Sequence, residues 1–174
     1  MKRLMTLLKK KRLFFKKNPS KKKYSWKYID NACANIAKQY PVTIPRPRIV
    51  GISRGGLIPA VLLAKYLKAG EVYSIGLKSY KDDSEFASRL HEPDVYQNIQ
   101  YNCPRLARGE PILLVDDISD EGNTLHYVRK EILNFNSTVI YTATIFIKDK
   151  TNFTPDIYHT KVPDDQWVVF PWEK

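Results

Sequence analysis

The sequence is poor in the residues that usually build metal centres and disulfide frameworks. It has two cysteines, Cys33 and Cys103, which lie far apart and form no CxxC pair, and its three histidines form no HExxH motif. We therefore expect neither a zinc site nor a set of disulfides, and the low cysteine content favours a reducing, cytoplasmic location. No apolar run reaches the roughly 18 residues that a membrane-spanning helix needs.

Acidic residues are absent from the first 27 positions, which hold twelve of the 29 lysines and arginines. The rest of the chain is nearly neutral, so we predict a basic N-terminal extension at 1–23 and one domain at 24–174. The extension is open to several interpretations: a solvated, partly disordered arm, a targeting segment, a nucleic-acid contact or peripheral attachment to an anionic membrane. A cleaved secretory signal is not expected, because KKKR at 9–12 interrupts any apolar core.

Strand and helix patterns alternate along the domain, which predicts an α/β protein with a mostly parallel, twisted sheet flanked by helices. We predict helices at 26–39, 57–67 and 125–133, strands at 48–52, 71–77, 111–115 and 137–147, and a last short strand in the tail. Residues 78–109 are polar and weakly periodic, and such a long irregular segment in a compact domain is typical of a functional lid. Ligands of such sheets bind beyond the carboxyl ends of the strands.

One turn at that position, DDISDEGNT (residues 116–124, the acidic turn), places three carboxylates after a buried strand. Asp116 and Asp117 suit the vicinal hydroxyls of a ribose, and Asp117 also suits Mg²⁺. The start of the next helix favours a phosphate, and Asp120 is placed to act as a general base. In the alternative interpretation Asp120 only caps the helix, which accounts for one carboxylate and not for the other two.

The other turn, SRGG (residues 53–56, the SRGG turn), follows an earlier strand. Its paired glycines let a ligand approach the backbone closely, and Arg54 can bind a phosphate through a forked pair of hydrogen bonds. A Gly-Gly pair before a helix is often only a turn, so the shared sheet edge is what favours an anion site. Neither turn matches the P-loop or the GxGxxG dinucleotide motif.

These segments resemble a known family. ILLVDDISDEGNTL is similar to the 5-phosphoribosyl 1-diphosphate (PRPP) signature of type I phosphoribosyltransferases, and SRGGLIPAVLLAKYL to the pyrophosphate loop and following helix of the bacterial xanthine-guanine enzymes. TIFIK and VPDDQWVVFPW resemble the purine pocket of that group. The resemblance implies the type I phosphoribosyltransferase fold with a small C-terminal hood, and Mg²⁺-dependent transfer from PRPP to a 6-oxopurine in purine salvage.

The resemblance also implies a role for each matching residue. Asp120 is the catalytic residue, which takes or shares the proton at purine N7, and the metal lies near Asp117. The peptide bond before Arg54 is often cis in this family. The implied PRPP-binding residues are Ser53, Arg54, Gly55, Ser79, Tyr80, Arg89, Asp116, Asp117, Asp120, Glu121, Gly122, Asn123 and Thr124, of which Ser79 and Tyr80 open a mobile loop.

The implied purine-binding residues are Lys148, Trp167 and Val168. Lys148 donates to the purine O6, Trp167 stacks on the base, and the Val168 backbone meets the exocyclic group at C2. Without the resemblance, Lys148 is open to interpretation as a solvated lysine at a strand end and Trp167 as a core aromatic.

Glu121 departs from the family pattern, which usually has Thr at that position. A carboxylate about 5 Å from a phosphate charge costs roughly 3 kcal/mol per charge pair at an effective dielectric of about 20. We therefore expect the Glu121 side chain to point away from the phosphate or to weaken its binding.

Three hypotheses for the function stay open. The intact Asp120 and Lys148 favour a 6-oxopurine transferase. Glu121 and the Lys-rich arm favour a catalytically weak regulator of the same fold that senses nucleotides and binds nucleic acid. The third hypothesis is a transferase for another base. Family members form dimers or tetramers and the bacterial ones are peripheral at the inner membrane, so the resemblance implies a homodimer or homotetramer with a membrane contact through the arm.

Overall fold

The computed structural model describes residues 20–80, 89–97, 109–135 and 139–173. The helices are α1 (Trp26–Gln39), α2 (Leu57–Leu67) and α3 (Asn123–Phe135). The strands are β1 (Ser20–Lys23), β2 (Arg48–Ser53), β3 (Val72–Tyr80), β4 (Arg89–Gln97), β5 (Ile112–Ser119), β6 (Ile140–Lys148), β7 (Ile157–Val162) and β8 (Gln166–Val169). The predicted α/β class is confirmed, and α1 and α2 have the predicted ends. No helix among the described residues is long and apolar enough to cross a membrane.

Six strands form the main sheet in the order β4-β3-β2-β5-β6-β7. Every neighbouring pair is parallel except β3 with β4. From β2 the chain passes through α2 to β3 on one side, while β5 pairs with β2 on the other side. The boundary between β2 and β5 is thus the point where the strand order reverses, which is where open α/β sheets bind ligands.

Apolar residues of the central strands alternate between two cores, because successive side chains point to opposite faces of a sheet. Ile49 and Leu113 face α1 and α2, whereas Val50 and Leu114 face α3. Helix α1 begins where the Ser25 hydroxyl accepts a hydrogen bond from the Tyr28 amide (3.2 Å). The two cores fix β2 and β5 side by side and so position the turns that follow them.

A small second sheet consists of β1 and β8, which run parallel with Lys21 opposite Trp167 and Lys22 opposite Val168. The hood was predicted from the C-terminal segment alone, and β1 was assigned to the basic arm. In the structure, the backbone of Ser20–Lys23 pairs with the edge of β8. The boundary between the extension and the domain stays a prediction. Residues 1–19 lie outside the described residues, and the expectations for them stay predictions.

Two strands of the main sheet were not predicted either. The β4 sequence RLHEPDVYQ contains Pro and alternating charges, which are typical of an edge strand and mask its periodicity. It pairs with β3, so part of the segment expected to be an irregular lid is a strand at the edge of the sheet. The β7 sequence IYHTKV has two buried residues only at its ends, so its apolar pattern is weak. Residues 81–88 and 98–108 lie outside the described residues.

Candidate active site

The SRGG turn and the acidic turn lie in contact at the carboxyl ends of β2 and β5. A Cβ atom on Gly55 would overlap the carboxylate of Asp117, and one on Gly56 would overlap the backbone of β5. The peptide bond between Ser53 and Arg54 is cis, as the resemblance implies. The glycines were expected to admit a ligand to the backbone. In the structure their first effect is to let one turn pack against the other.

Asp116 and Asp117 lie where buried β5 reaches the edge of the sheet. Burial and the negative charge of Asp117 raise the pKa of Asp116 well above its usual range. Burial and the negative charge of Glu173 raise the pKa of Asp117 to about 7. Hydroxyl donors or a cation would relieve this repulsion, so the pair suits the ribose hydroxyls and the metal predicted for it.

The donor set fits Mg²⁺ that is shared with a substrate. Mg²⁺ is commonly held by one or two carboxylates together with substrate phosphates and water. Asp116 and Asp117 supply two carboxylates at the sheet edge, and nowhere among the residues that the structure describes do three His, Cys, Asp or Glu side chains converge on one point. The residues present therefore fit a metal that arrives with a phosphate ligand.

The end of the acidic turn forms the start of α3. Gly122 has a φ of +83°, a conformation that favours glycine, and a Cβ on it would lie 2.6 Å from the Cβ of Phe153. Its carbonyl accepts the first helical hydrogen bond, from the His126 amide at 3.0 Å. Because α3 begins at Asn123, Asp120 lies too early to be its N-cap, and the capping interpretation of Asp120 is wrong. The amides of 122–124 stand at a helix N-terminus, which suits an anion.

Asp120 lies between two lysine ammonium groups. Its Oδ1 atom is 3.4 Å from Nζ of Lys148 and 3.0 Å from Nζ of Lys150. Lys148 ends β6, and its Nζ also donates to the Asp164 carbonyl at 3.2 Å. The Lys148 side chain is only 11% exposed, so the interpretation of a solvated lysine at a strand end is wrong. The site presents a carboxylate acceptor and an ammonium donor side by side.

Strand β8 of the hood carries the other two predicted purine-binding residues. Val168 is buried in the core that α1 and α2 cover. Trp167 is partly exposed and belongs to neither described core, as expected for the neighbouring residue on a strand. The interpretation of Trp167 as a core aromatic is therefore not supported, and its stacking on a base stays a prediction.

The residues predicted to belong to the mobile loop lie on the two strands at one edge of the main sheet. Ser79 and Tyr80 are the last residues of β3, and Arg89 is the first residue of β4. Tyr80 and Arg89 lie opposite each other in the antiparallel ladder. Antiparallel pairing therefore brings the backbones of these residues together, and their binding roles stay predictions.

Sequence reasoning missed two charged residues of the site. Glu173 acts on Asp117 from the C-terminal segment, and Lys150 binds Asp120 from the turn after β6. Nothing in the sequence Pro-Trp-Glu near the C-terminus indicates that Glu173 lies near the end of β5. Lys150 lies two residues after Lys148. Both lysines contact Asp120 only because the chain turns after β6.

Comparisons with known proteins agree with this geometry. Residues 24–173 match the phosphoribosyl transferase domain family. A xanthine-guanine phosphoribosyltransferase of Cereibacter sphaeroides is 34% identical over 125 residues, which are 72% of this chain and 68% of the relative. The crystal structure of a purine phosphoribosyltransferase from Pyrococcus horikoshii has a TM-score of 0.70 at 30% identity and covers 88% of this chain and 95% of its own. A xanthine-guanine-hypoxanthine phosphoribosyltransferase from Helicobacter pylori has a TM-score of 0.69 at 25% identity, over 88% of this chain and 94% of its own.

Proposed function

This chain belongs to the phosphoribosyltransferase family, and we propose that it transfers the 5-phosphoribosyl group of PRPP to guanine, xanthine or hypoxanthine. The bond between C1′ and the pyrophosphate oxygen breaks as the bond from C1′ to purine N9 forms. The products are the nucleoside 5′-monophosphate and pyrophosphate, and the purine gives up one proton.

The observation that carries this proposal is the 3.4 Å separation between Asp120 Oδ1 and Lys148 Nζ. In a 6-oxopurine, N7 and O6 are neighbouring atoms on one edge of the base, so Asp120 can accept the N7 proton while Lys148 donates to O6. In adenine the 6-amino group would face the ammonium of Lys148, donor against donor. A buried polar group left unpaired in this way strongly disfavours the wrong substrate.

The remaining residues supply binding and charge stabilisation. Asp116 and Asp117 accept hydrogen bonds from the ribose hydroxyls, and the helix N-terminus at 122–124 holds the 5′-phosphate. As C1′ loses its leaving group, Arg54 and the SRGG-turn amides stabilise the charge that develops on pyrophosphate. Mg²⁺, when bound beside Asp117, neutralises part of the negative charge of the diphosphate.

A turnover assay with separate bases tests the proposal. The purified chain, Mg²⁺ and PRPP are mixed with guanine, xanthine, hypoxanthine, adenine or uracil, and nucleotide formation is measured. We expect turnover of 6-oxopurines, a loss of roughly 100-fold or more in Asp120→Asn, and little change in the control Asp165→Asn, whose side chain is exposed.

Two results would contradict the proposal. Preference for adenine or uracil would refute the role of Lys148 and favour a transferase for another base. Binding of PRPP without turnover of any base would favour the nucleotide-sensing regulator.

A further inference from the structure

Backbone and side-chain hydrogen bonds hold the turn after β6 against the acidic turn. The Asn152 amide donates to the Glu121 carbonyl at 2.9 Å. The hydroxyls of Ser119 and Thr151 are hydrogen-bonded at 2.9 Å. These contacts hold the turn at 149–153 against the strand end and the loop before α3, so a side chain on it has a defined position relative to the expected phosphate site.

Lys150 projects from this turn onto the two acids of the loop. Its Nζ atom lies 3.0 Å from Asp120 Oδ1 and 3.9 Å from Glu121 Oε1. The second carboxylate oxygen of Glu121 accepts a hydrogen bond from the Asn123 side-chain amide at 3.4 Å. The Glu121 carboxylate therefore stays beside the helix N-terminus, where a bound phosphate would meet its charge.

The two lysines near Asp120 differ in the exposure of their side chains. Lys148 is 11% exposed and is also bonded to the Asp164 carbonyl, which fixes its ammonium next to Asp120. Lys150 is 40% exposed, and the ammonium of this solvent-accessible side chain contacts the Asp120 and Glu121 carboxylates. A lysine ammonium is a flexible point charge that can contact a carboxylate and a phosphate in turn.

We propose that Lys150 completes the 5′-phosphate subsite by offsetting the charge of Glu121. This proposal rests on the proposed function, because it takes the loop at 120–124 as the place where the 5-phosphoribosyl group is bound. In the free protein Lys150 pairs with the two acids, and in the complex its ammonium also faces the phosphate dianion. The chain thereby tolerates a glutamate where a neutral residue would avoid repulsion.

Steady-state kinetics with PRPP provide the first test. Lys150→Met should raise the KM for PRPP about tenfold, with kcat changed by less than about threefold, since the lost attraction acts in the ground state and the transition state alike. Glu121→Gln should lower this KM, and the double variant should return to within about threefold of the unaltered protein because the two charge effects oppose each other. Lys130→Met, an exposed lysine two turns along α3, is the control and should leave KM unchanged.

Binding without turnover separates this proposal from the proposed reaction. Ribose 5-phosphate and ribose are titrated against each variant, and Lys150→Met should weaken only the phosphorylated sugar. Three results would overturn the phosphate role and assign Lys150 to orienting Asp120. They are an equal effect on both sugars, a fall in kcat at constant KM, and a double variant whose KM for PRPP is as high as that of Lys150→Met.

The two proposals can fail separately. Turnover with an unchanged KM in Lys150→Met would overturn the phosphate role and leave the transferase standing. Absence of turnover with every base, together with ribose 5-phosphate binding that depends on Lys150, would refute the transferase and leave the subsite standing. A protein that binds neither PRPP nor ribose 5-phosphate would overturn both.

Discussion

Gly55 and Asp117 lie so close across the two turns that any side chain at position 55 would overlap the carboxylate. The contact joins the expected pyrophosphate-binding turn on β2 to the expected ribose-binding and metal-binding carboxylate on β5. Strands β2 and β5 are paired in register from Arg48 opposite Ile112 to Gly51 opposite Val115, which brings the two turns side by side. The geometry of the site therefore depends on a missing side chain as well as on charged ones.

Gly55→Ala should impair catalysis much more than folding. The added methyl group must displace the Asp117 carboxylate, and a misplacement of about 1 Å in an active site can cost about 100-fold in rate. We expect kcat/KM for PRPP to fall by about that factor while the melting temperature changes by only a few degrees. Gly70→Ala is the matched control, because nothing lies within 4 Å of a Cβ at that position. Equal kinetic effects in the two variants would contradict the prediction.

Lys148→Met should remove the discrimination between 6-oxopurines and adenine. Loss of the donor to O6 should lower kcat/KM for guanine and hypoxanthine by roughly 100-fold, and adenine should gain relative to them because the facing ammonium is gone. The measurement is competition between hypoxanthine and adenine at fixed PRPP. Lys161→Met serves as control, since Lys161 is exposed and pairs with Asp149 at 2.9 Å. An unchanged ratio of the two bases would refute the role of Lys148.

The two α-helices of the larger core and the two turns of the candidate site could be predicted because their signals are local. Ser25 and the apolar spacing of α1 lie within one segment, and the acidic turn joins a buried strand directly to the start of a helix. The expectation that the Arg54 peptide is cis came from the family resemblance, and the structure confirms it.

Contacts between distant segments could not be predicted in this way. Strand β1 consists of Ser20–Lys23, whose lysines have low strand propensity, and it forms because β8 supplies a backbone partner more than 140 residues later. Lys150 is likewise an ordinary turn lysine until the turn after β6 packs against the acidic turn. Sequence patterns indicate which residues have reactive or charged side chains. They do not show that Lys150 pairs with Glu121, because tertiary packing determines that contact.

Two truncations of the arm should show different roles for residues 1–19 and for the strand β1. Deleting residues 1–19 leaves β1 in place, and we expect KM for the purine and for PRPP to stay within about twofold, since no described contact of the site is removed. Deleting residues 1–23 removes the strand beside Trp167 and Val168 and should raise the KM for the purine about tenfold through loss of order in the hood. If both truncations bind purine equally well, the hood does not need β1.

The shorter truncation also tests the peripheral membrane contact predicted for the arm. Sedimentation with vesicles containing anionic lipid should capture the full chain at low salt and release the protein that lacks residues 1–19, because clustered lysines bind such surfaces electrostatically. Equal binding of the two proteins would refute this function of the arm.

Arg48→Met should destabilise the fold without altering the chemistry. Arg48 begins β2, at the end of the sheet opposite the site, and its guanidinium pairs with Glu71 at 3.0 Å and with Glu110. The Arg48 side chain is only 11% exposed, whereas those of Glu71 and Glu110 are 32% and 49% exposed, so its removal leaves two partly solvated carboxylates without their shared cation. Both acids keep some contact with water, so we expect a loss of about 2 kcal/mol in the free energy of unfolding, below the usual cost of breaking a fully buried pair. Urea denaturation measures the loss. Arg46→Met is the control, because Arg46 is exposed and lies two residues before β2, and it should change stability by less than about 0.5 kcal/mol. A loss of kcat in Arg48→Met under conditions where the variant stays folded would show that the two ends of β2 are coupled. It would contradict the prediction that Arg48 affects stability and not catalysis.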